Sequence, residues 1–101
     1  MAGQKFDLFL YKSDNDQMYY TYVLQNEDKS FYIGYSSNLK QRITDHLRGK
    51  GCRTTKDKTN WKLVYYEAYL NIDDAVGREK FLKGGSGRKY LNKQLKHYLN
   101  K

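Results

Sequence analysis

Two short runs, YYTYVLQ at 19–25 and FYIGYS at 31–36, are dense in aromatic and β-branched residues, and the turn-forming stretch NEDKS separates them. That pattern predicts a β-hairpin, and the hairpin constrains what the rest of the chain can do. Alternation puts Tyr20, Tyr22 and Leu24 on one face, so Tyr22 stands near Tyr32 across the pair without being its sequence neighbour. Asn38 and Gln41 form a capping pair, after which Leu39, Ile43 and Leu47 mark the stripe of a helix ending at Gly49. The segment GKGCRTTKDKTN at 49–60 is a polar, basic loop, and WKLVYYEAYL at 61–70 is a third strand. Its long run of large residues predicts a central place in the sheet. Asn71 or Asp73 opens a second helix, with Ile72, Ala75, Val76 and Leu82 on one side, and KGGSG at 83–87 breaks it. A last helix runs from about Gly87 to Leu99, with Leu91, Leu95, Tyr98 and Leu99 as its apolar stripe.

With 101 residues there is room for one core only. Residues 18–101 are read as that domain, and residues 1–17, which include the apolar patch FDLFLY, as an N-terminal extension. Eleven tyrosines imply a core built from amphipathic rings more than from long aliphatic runs. No segment reaches the ~18 uninterrupted apolar residues that cross a bilayer, and acids scattered through the first twenty residues argue against a secretion signal, so the expected location is the cytoplasm. Cys52 is the sole cysteine, which excludes an internal disulfide and a cysteine-based zinc cluster.

The net charge of +8 is unevenly spread. Residues 37–62 hold eight Lys or Arg against two acids, and residues 78–101 hold eight against Glu79 alone, whereas residues 1–36 and 63–77 are net acidic. Two basic blocks that converge on one face make the electrostatic footprint of a phosphate-binding surface, and nucleic acid is the leading partner. The plainer alternative is a solvated basic surface that maintains solubility. A membrane surface fits less well, because neither block carries an insertable Trp or Phe face.

Three polar groups stand where apolar ones belong. Arg42 and His46, four apart, project from one side of the first helix, and His46 lies about 20° from Leu39 around the helix axis. Glu79 falls inside the apolar arc of the second helix, at an angle between Ile72 and Ala75. A desolvated carboxylate needs a cation, and a salt bridge to Arg42 or a neighbouring Lys, with no chemistry attached, competes with a metal. Glu67 is a second acid, but its place in the strand alternation lets it point to solvent. Two phenols, a guanidinium, an imidazole and a carboxylate supply what phosphodiester hydrolysis needs: a deprotonated nucleophile, neutralised charge and help for the departing oxygen. A hard ion such as Mg²⁺ suits a site with one carboxylate, because it keeps several waters and takes other ligands from phosphate oxygens.

On these residues the sequence resembles the GIY-YIG nuclease family, over about Met18 to Leu99. YTY at 20–22 stands at the family's first tripeptide and keeps only its functional tyrosine, Tyr22, while YIG at 32–34 is the second tripeptide in full. Steps of ten, ten and four residues link Tyr22, Tyr32, Arg42 and His46. Glu79 in GREKFLKG is similar to the family's later glutamate helix, and GSGRKYL resembles the helix start that follows in small stand-alone members.

The resemblance implies an α+β domain, a three-stranded antiparallel sheet flanked by helices in the order β-β-α-β-α-α. It implies a metal-dependent endonuclease acting on DNA, with roles in repair, recombination or DNA processing, and Mg²⁺ or Mn²⁺ as cofactor. Tyr22 or Tyr32 would activate the attacking water, Arg42 would stabilise the phosphate charge, His46 would tune or relay the tyrosine proton, and Glu79 would hold the metal. A tyrosine base, with a free pKa of ~10, needs a nearby cation to favour its phenolate. Lys40, Arg53, Lys56, Lys58, Arg88 and Lys89 would follow the phosphate backbone, with Asn92 near the leaving group. The alternatives are a non-catalytic nucleic-acid-binding module of the same fold and a basic domain that docks on an acidic protein. Target choice would then come from the domain itself, its first seventeen residues, an oligomer or a protein partner.

Overall fold

A computed structural model of the chain describes residues 17–49, 58 and 60–100. Strands β1 (Tyr19–Asn26) and β2 (Phe31–Ser36) form the hairpin, followed by helix α1 (Leu39–Leu47), strand β3 (Trp61–Tyr69) and helices α2 (Ile72–Lys83), α3 (Gly85–Gln94) and α4 (Lys96–Leu99). The three strands make an antiparallel sheet in the order β2-β1-β3, an α+β arrangement as expected.

The centre of the sheet is β1, not β3. Large residues in β3 do not signal burial on both faces, because tyrosine rings tolerate partial exposure: Tyr66 is 53% exposed. In β1, by contrast, Thr21 to Asn26 are all buried, including three polar side chains. Each of these is bonded: Thr21 Oγ1 donates to the Ala75 carbonyl (2.8 Å), Gln25 Oε1 accepts from the Tyr98 hydroxyl (2.7 Å), and Asn26 Oδ1 accepts from the Asp28 amide (3.2 Å). Lys29 takes the left-handed turn conformation, φ +75°, that closes the hairpin.

Alternation along β1 divides the core into two layers. Tyr22 and Leu24 face α1 and pack with Trp61, Tyr32, Leu39, Ile43 and Leu63. Val23 faces the opposite way and packs with Ile33, Leu82 and Leu91, with Phe31, Val64, Tyr65, Tyr90 and Leu95 around them. Helix α1 therefore covers one face, and α2 and α3 cover the other. The Asn38 cap forms as the sequence predicts, its Oδ1 accepting from the Gln41 amide at 3.1 Å. Asn71, not Asp73, caps α2, accepting from the Asp73 amide at 2.8 Å. The terminal helix is two pieces instead of one: at Leu95 the backbone leaves helical geometry (φ −107°, ψ 24°), and α4 turns to bring Tyr98 to Gln25.

The corner between α2 and α3 depends on Gly87. A Cβ built there would lie 2.0 Å from the Leu82 carbonyl oxygen and 2.5 Å from its Cα, both backbone atoms that no side-chain rotation can clear. Gly87→Ala is expected to destabilise the fold by about 2 kcal/mol or more. Thermal denaturation followed by circular dichroism should show a Tm about 10 °C or more lower, and an unchanged Tm would contradict the tight corner.

Candidate active site

The site starts with the phenol of Tyr22. Tyr22 pairs with Gly34 across the hairpin, and its ring lies over that glycine: a Cβ at Gly34 would sit 2.6 Å from the Tyr22 hydroxyl and 2.8 Å from Cζ. Glycine at the third position of YIG is thus what lets the phenol pass across β2 toward α1. There the Tyr22 hydroxyl meets His46 Nε2 at 2.9 Å, with both residues buried (1% and 3% exposed). The Tyr32 ring closes the group, 5.0 Å from the imidazole and 6.3 Å from the Tyr22 ring, centroid to centroid. His46 is therefore an interior group.

Arg42, one turn earlier on α1, is exposed and has no ion pair among the described residues. Its charge is nevertheless felt by the imidazole. Burial pushes the His46 pKa below its ordinary 6.5, the Arg42 charge pushes it further, and Asp45 opposes them weakly. His46 is thus neutral at neutral pH, and its Nε2 can accept or donate the proton shared with the Tyr22 phenol.

Glu79 comes from the other layer. Helix α2 packs on the Val23 face, so the packing that gathers Tyr22, Tyr32 and His46 does not itself include the carboxylate. Its direction around α2 follows from its neighbours. Ala75 points into the core, Arg78 turns toward β3 to bond Glu67, and Lys83 turns toward β2, where it lines a groove of about 440 Å³ with Phe31, Tyr32 and Arg88. At 100° per residue Glu79 lies between the Ala75 and Lys83 directions, on the β2 side of the helix. Its Oε2 pairs with Lys83 Nζ at 3.0 Å, and the side chain is 15% exposed. Between the two alternatives for its cation, the neighbouring lysine and not Arg42 is the partner. The Tyr32 ring stands with Tyr22 and His46 on the α1 face, whereas the groove beside Lys83 and Arg88 opens on the α2–α3 face, so the imidazole cluster and Glu79 lie on opposite faces of the sheet with edge strand β2 between them.

Glu67 corrects a second expectation. It does not point to solvent: it faces α2, bound bidentately by Arg78 (Nε to Oε1 2.9 Å, Nη2 to Oε2 3.1 Å), and it also accepts from the Tyr65 and Tyr69 hydroxyls. Burial pushes its carboxyl up, but the Arg78 and phenol hydrogen bonds outweigh this and hold it below the usual range. Burial and the same carboxylate raise Tyr69 to about 12. The Arg78 guanidinium is also stacked on Tyr90 and Phe81, 4.3 and 5.0 Å from their centroids. Sequence reasoning missed Arg78, although its position one residue before an arc-facing acid and eleven after another offered a signal.

The basic residues are dispersed. Arg88 lies 4.1 Å over the Phe31 ring at the groove. Lys40 lines a separate depression of about 670 Å³ with Tyr20, Tyr66, Leu39 and Ile43, on the α1 face. Lys89 and Asn92 are exposed on α3. Lys58 pairs with Asp28 at 2.8 Å, a pair 42% and 49% exposed whose Coulomb gain is small enough for a phosphate to compete. Arg53 and Lys56 lie outside the described residues.

Against known proteins, residues 18–93 match the family model described as the GIY-YIG catalytic domain. The chain belongs to the GIY-YIG family. Curated relatives include a UPF0213 protein of Pediococcus acidilactici, 36% identical over 85% of this chain and 89% of its own, and the UPF0213 protein YsiG of Lactococcus lactis, 36% identical over 82% and 80%. A UPF0213 protein of Clostridium perfringens is 39% identical over 65% of this chain and 71% of its own. The solution NMR structure of a UPF0213 protein from Bacillus halodurans is 28% identical, covers 76% of this chain and 84% of its own, and has a TM-score of 0.49. Membership gives this GIY-YIG chain a nuclease-like fold and a general disposition toward nucleic acid. Among the described residues no helix is long and apolar enough to cross a membrane.

Because the folded pKa of His46 lies below its unfolded value, the residue contributes stability above about pH 6.5, which is lost as the pH falls. An NMR titration of the His46 ring should find its midpoint below 6.5, moving upward in Arg42→Ala but staying depressed by burial. A midpoint at or above 6.5 in the unaltered protein would contradict this environment.

Proposed function

We propose that this GIY-YIG chain is a divalent-metal-dependent endonuclease that hydrolyses phosphodiester bonds in DNA. The observation that carries the reading is the buried contact between Tyr22 and a neutral His46 beside Tyr32 and an exposed Arg42, a proton-handling pair next to an anion-binding cation. Tyr32, half-buried on the edge strand, is the better placed of the two phenols to meet a water at the phosphate. Tyr22, enclosed at 1% exposure, serves as the relay between Tyr32's surroundings and His46. Arg42, exposed and unpaired among the described residues, would neutralise a non-bridging phosphate oxygen.

The donor set fits Mg²⁺ or Mn²⁺. Among the described residues no three metal-binding side chains cluster, so an ion would depend on the Glu79 carboxylate, waters and phosphate oxygens, which is the coordination Mg²⁺ favours. Lys83, 52% exposed, can release Glu79 to the ion and turn to the phosphate. Bound there, the metal supplies charge neutralisation and a more acidic water. Arg88 at the groove and Lys89 on α3 would hold the strand by its phosphates, an interaction that weakens with salt.

One observation favours a non-catalytic DNA-binding module instead: the Glu79–Lys83 pair already satisfies the carboxylate. A single experiment separates the two readings. Labelled single-stranded, duplex and branched DNA are incubated with Mg²⁺ or Mn²⁺ and with either the unaltered chain or Glu79→Ala. Endonuclease activity predicts metal-dependent cleavage that falls by ~100-fold or more in the variant while salt-sensitive binding persists. Binding without cleavage by the unaltered chain would establish the module, and equal cleavage by both proteins would remove Glu79 from the site.

A further inference from the structure

The middle residue of the first tripeptide, Thr21, lies on the opposite face of β1 from Tyr20 and Tyr22. It is 1% exposed, and its hydroxyl donates to the Ala75 carbonyl at 2.8 Å. That carbonyl is the one to which an α-helical ladder assigns the amide of residue 79. The Thr21 hydroxyl therefore joins β1 to α2 at the hydrogen bond that carries the Glu79 backbone. Directly across the sheet from Thr21 is Glu67 on β3, and Glu67 takes the neighbouring helix residue, Arg78, through two hydrogen bonds of 2.9 and 3.1 Å. A cross-strand pair thus grips two successive points of α2, at residues 75 and 78, and residue 79 follows at once. Tyr65 and Tyr69 saturate the remaining capacity of Glu67, and Tyr90 and Phe81 brace Arg78, so the second grip has little freedom to turn.

We propose that Thr21 and Glu67 are positioning residues for Glu79: together they fix the height and rotation of α2 against the sheet, and so set where the Glu79 carboxylate meets the β2 edge. Neither residue touches the reacting atoms. Thr21 acts through the Ala75 carbonyl, and Glu67 acts through Arg78. The first tripeptide thereby serves both layers, since Tyr22 reaches His46 on one side while its neighbour Thr21 holds the metal-binding helix on the other. Packing alone would fix α2 less sharply, because Ala75 and Leu82 make contacts without direction, whereas a hydroxyl and a bidentate guanidinium specify an angle.

The proposal rests on Glu79 as the metal ligand, and its test reads metal binding instead of cleavage. Mn²⁺ is titrated into the full chain and free ion is counted by electron paramagnetic resonance, for the unaltered protein, Thr21→Val, Thr21→Ser, Glu67→Gln and Glu79→Ala, with far-UV circular dichroism on each. Expected results are ~10-fold weaker Mn²⁺ binding in Thr21→Val and in Glu67→Gln, near-normal binding in Thr21→Ser, and unchanged secondary structure in all. Mn²⁺ affinity that depends on Glu79 but is the same in Thr21→Val and Glu67→Gln overturns the positioning role and leaves the metal site standing. Affinity that is unaltered in Glu79→Ala overturns both. Equal losses in Thr21→Ser and Thr21→Val also overturn it, since shape and not the hydroxyl would then be the cause.

Discussion

The Tyr22 phenol lying across Gly34 is the contact on which the rest of the molecule depends. It takes a tyrosine from the central strand, carries its hydroxyl over the edge strand's one residue without a side chain, and delivers it to the imidazole of α1. Because β1 alternates, committing Tyr22 to α1 commits Thr21 and Val23 to α2 and α3. In the proposed reading each layer would supply one part of the chemistry: proton-handling groups on one face, a carboxylate on the other. Edge strand β2 separates the two, and in that reading a common ligand would reach both across its unpaired margin, which leaves room that an interior strand does not.

The polar interior makes sense in the same terms. The polar side chains buried in the sheet of this small domain are hydrogen-bonded, Glu67 by four donors, and Thr21, Gln25 and Asn26 each by at least one partner. Saturated groups fix geometry and resist exchange with ligands. Those that stay exposed or lightly paired, Arg42, Glu79 with its exposed lysine, and Arg88, are the ones that can exchange a neighbour for a phosphate or an ion. Saturation therefore separates scaffold acid from candidate ligand better than burial does: Glu67 and Glu79 are almost equally enclosed, at 20% and 15% exposure.

Much of this was legible in the sequence. The hairpin, the Asn38 cap and the placement of Tyr22, Tyr32 and His46 together follow from alternation, a capping pair and a four-residue helical step, which are local rules. What failed was non-local. The run of large residues in β3 reads as buried on both faces, yet strand order depends on which strand both helical layers choose to cover, and that is decided by β1 and its bonded Thr21 and Gln25. Glu67 reads as solvent-facing because its partner lies eleven residues on, in another element. Glu79 reads correctly as an acid on the core side of its helix, but its pairing with Lys83, and the fact that α1 and α2 occupy opposite faces, belong to the tertiary structure. The break at Leu95 has no sequence signal such as Gly or Pro.

The central claim is that one ligand-binding place spans β2, joining Tyr32 on the α1 side to Glu79 on the α2 side. Paramagnetic broadening by Mn²⁺ in a two-dimensional NMR spectrum measures this directly, because the effect falls steeply with distance from the ion. The account predicts the strongest broadening at Glu79, Lys83 and Tyr32, with Glu67 and the α2 start at Asp73 and Asp74 less affected, and its loss in Glu79→Ala. Broadening centred on Asp73 and Asp74, or on Glu67, with Tyr32 untouched, would contradict it.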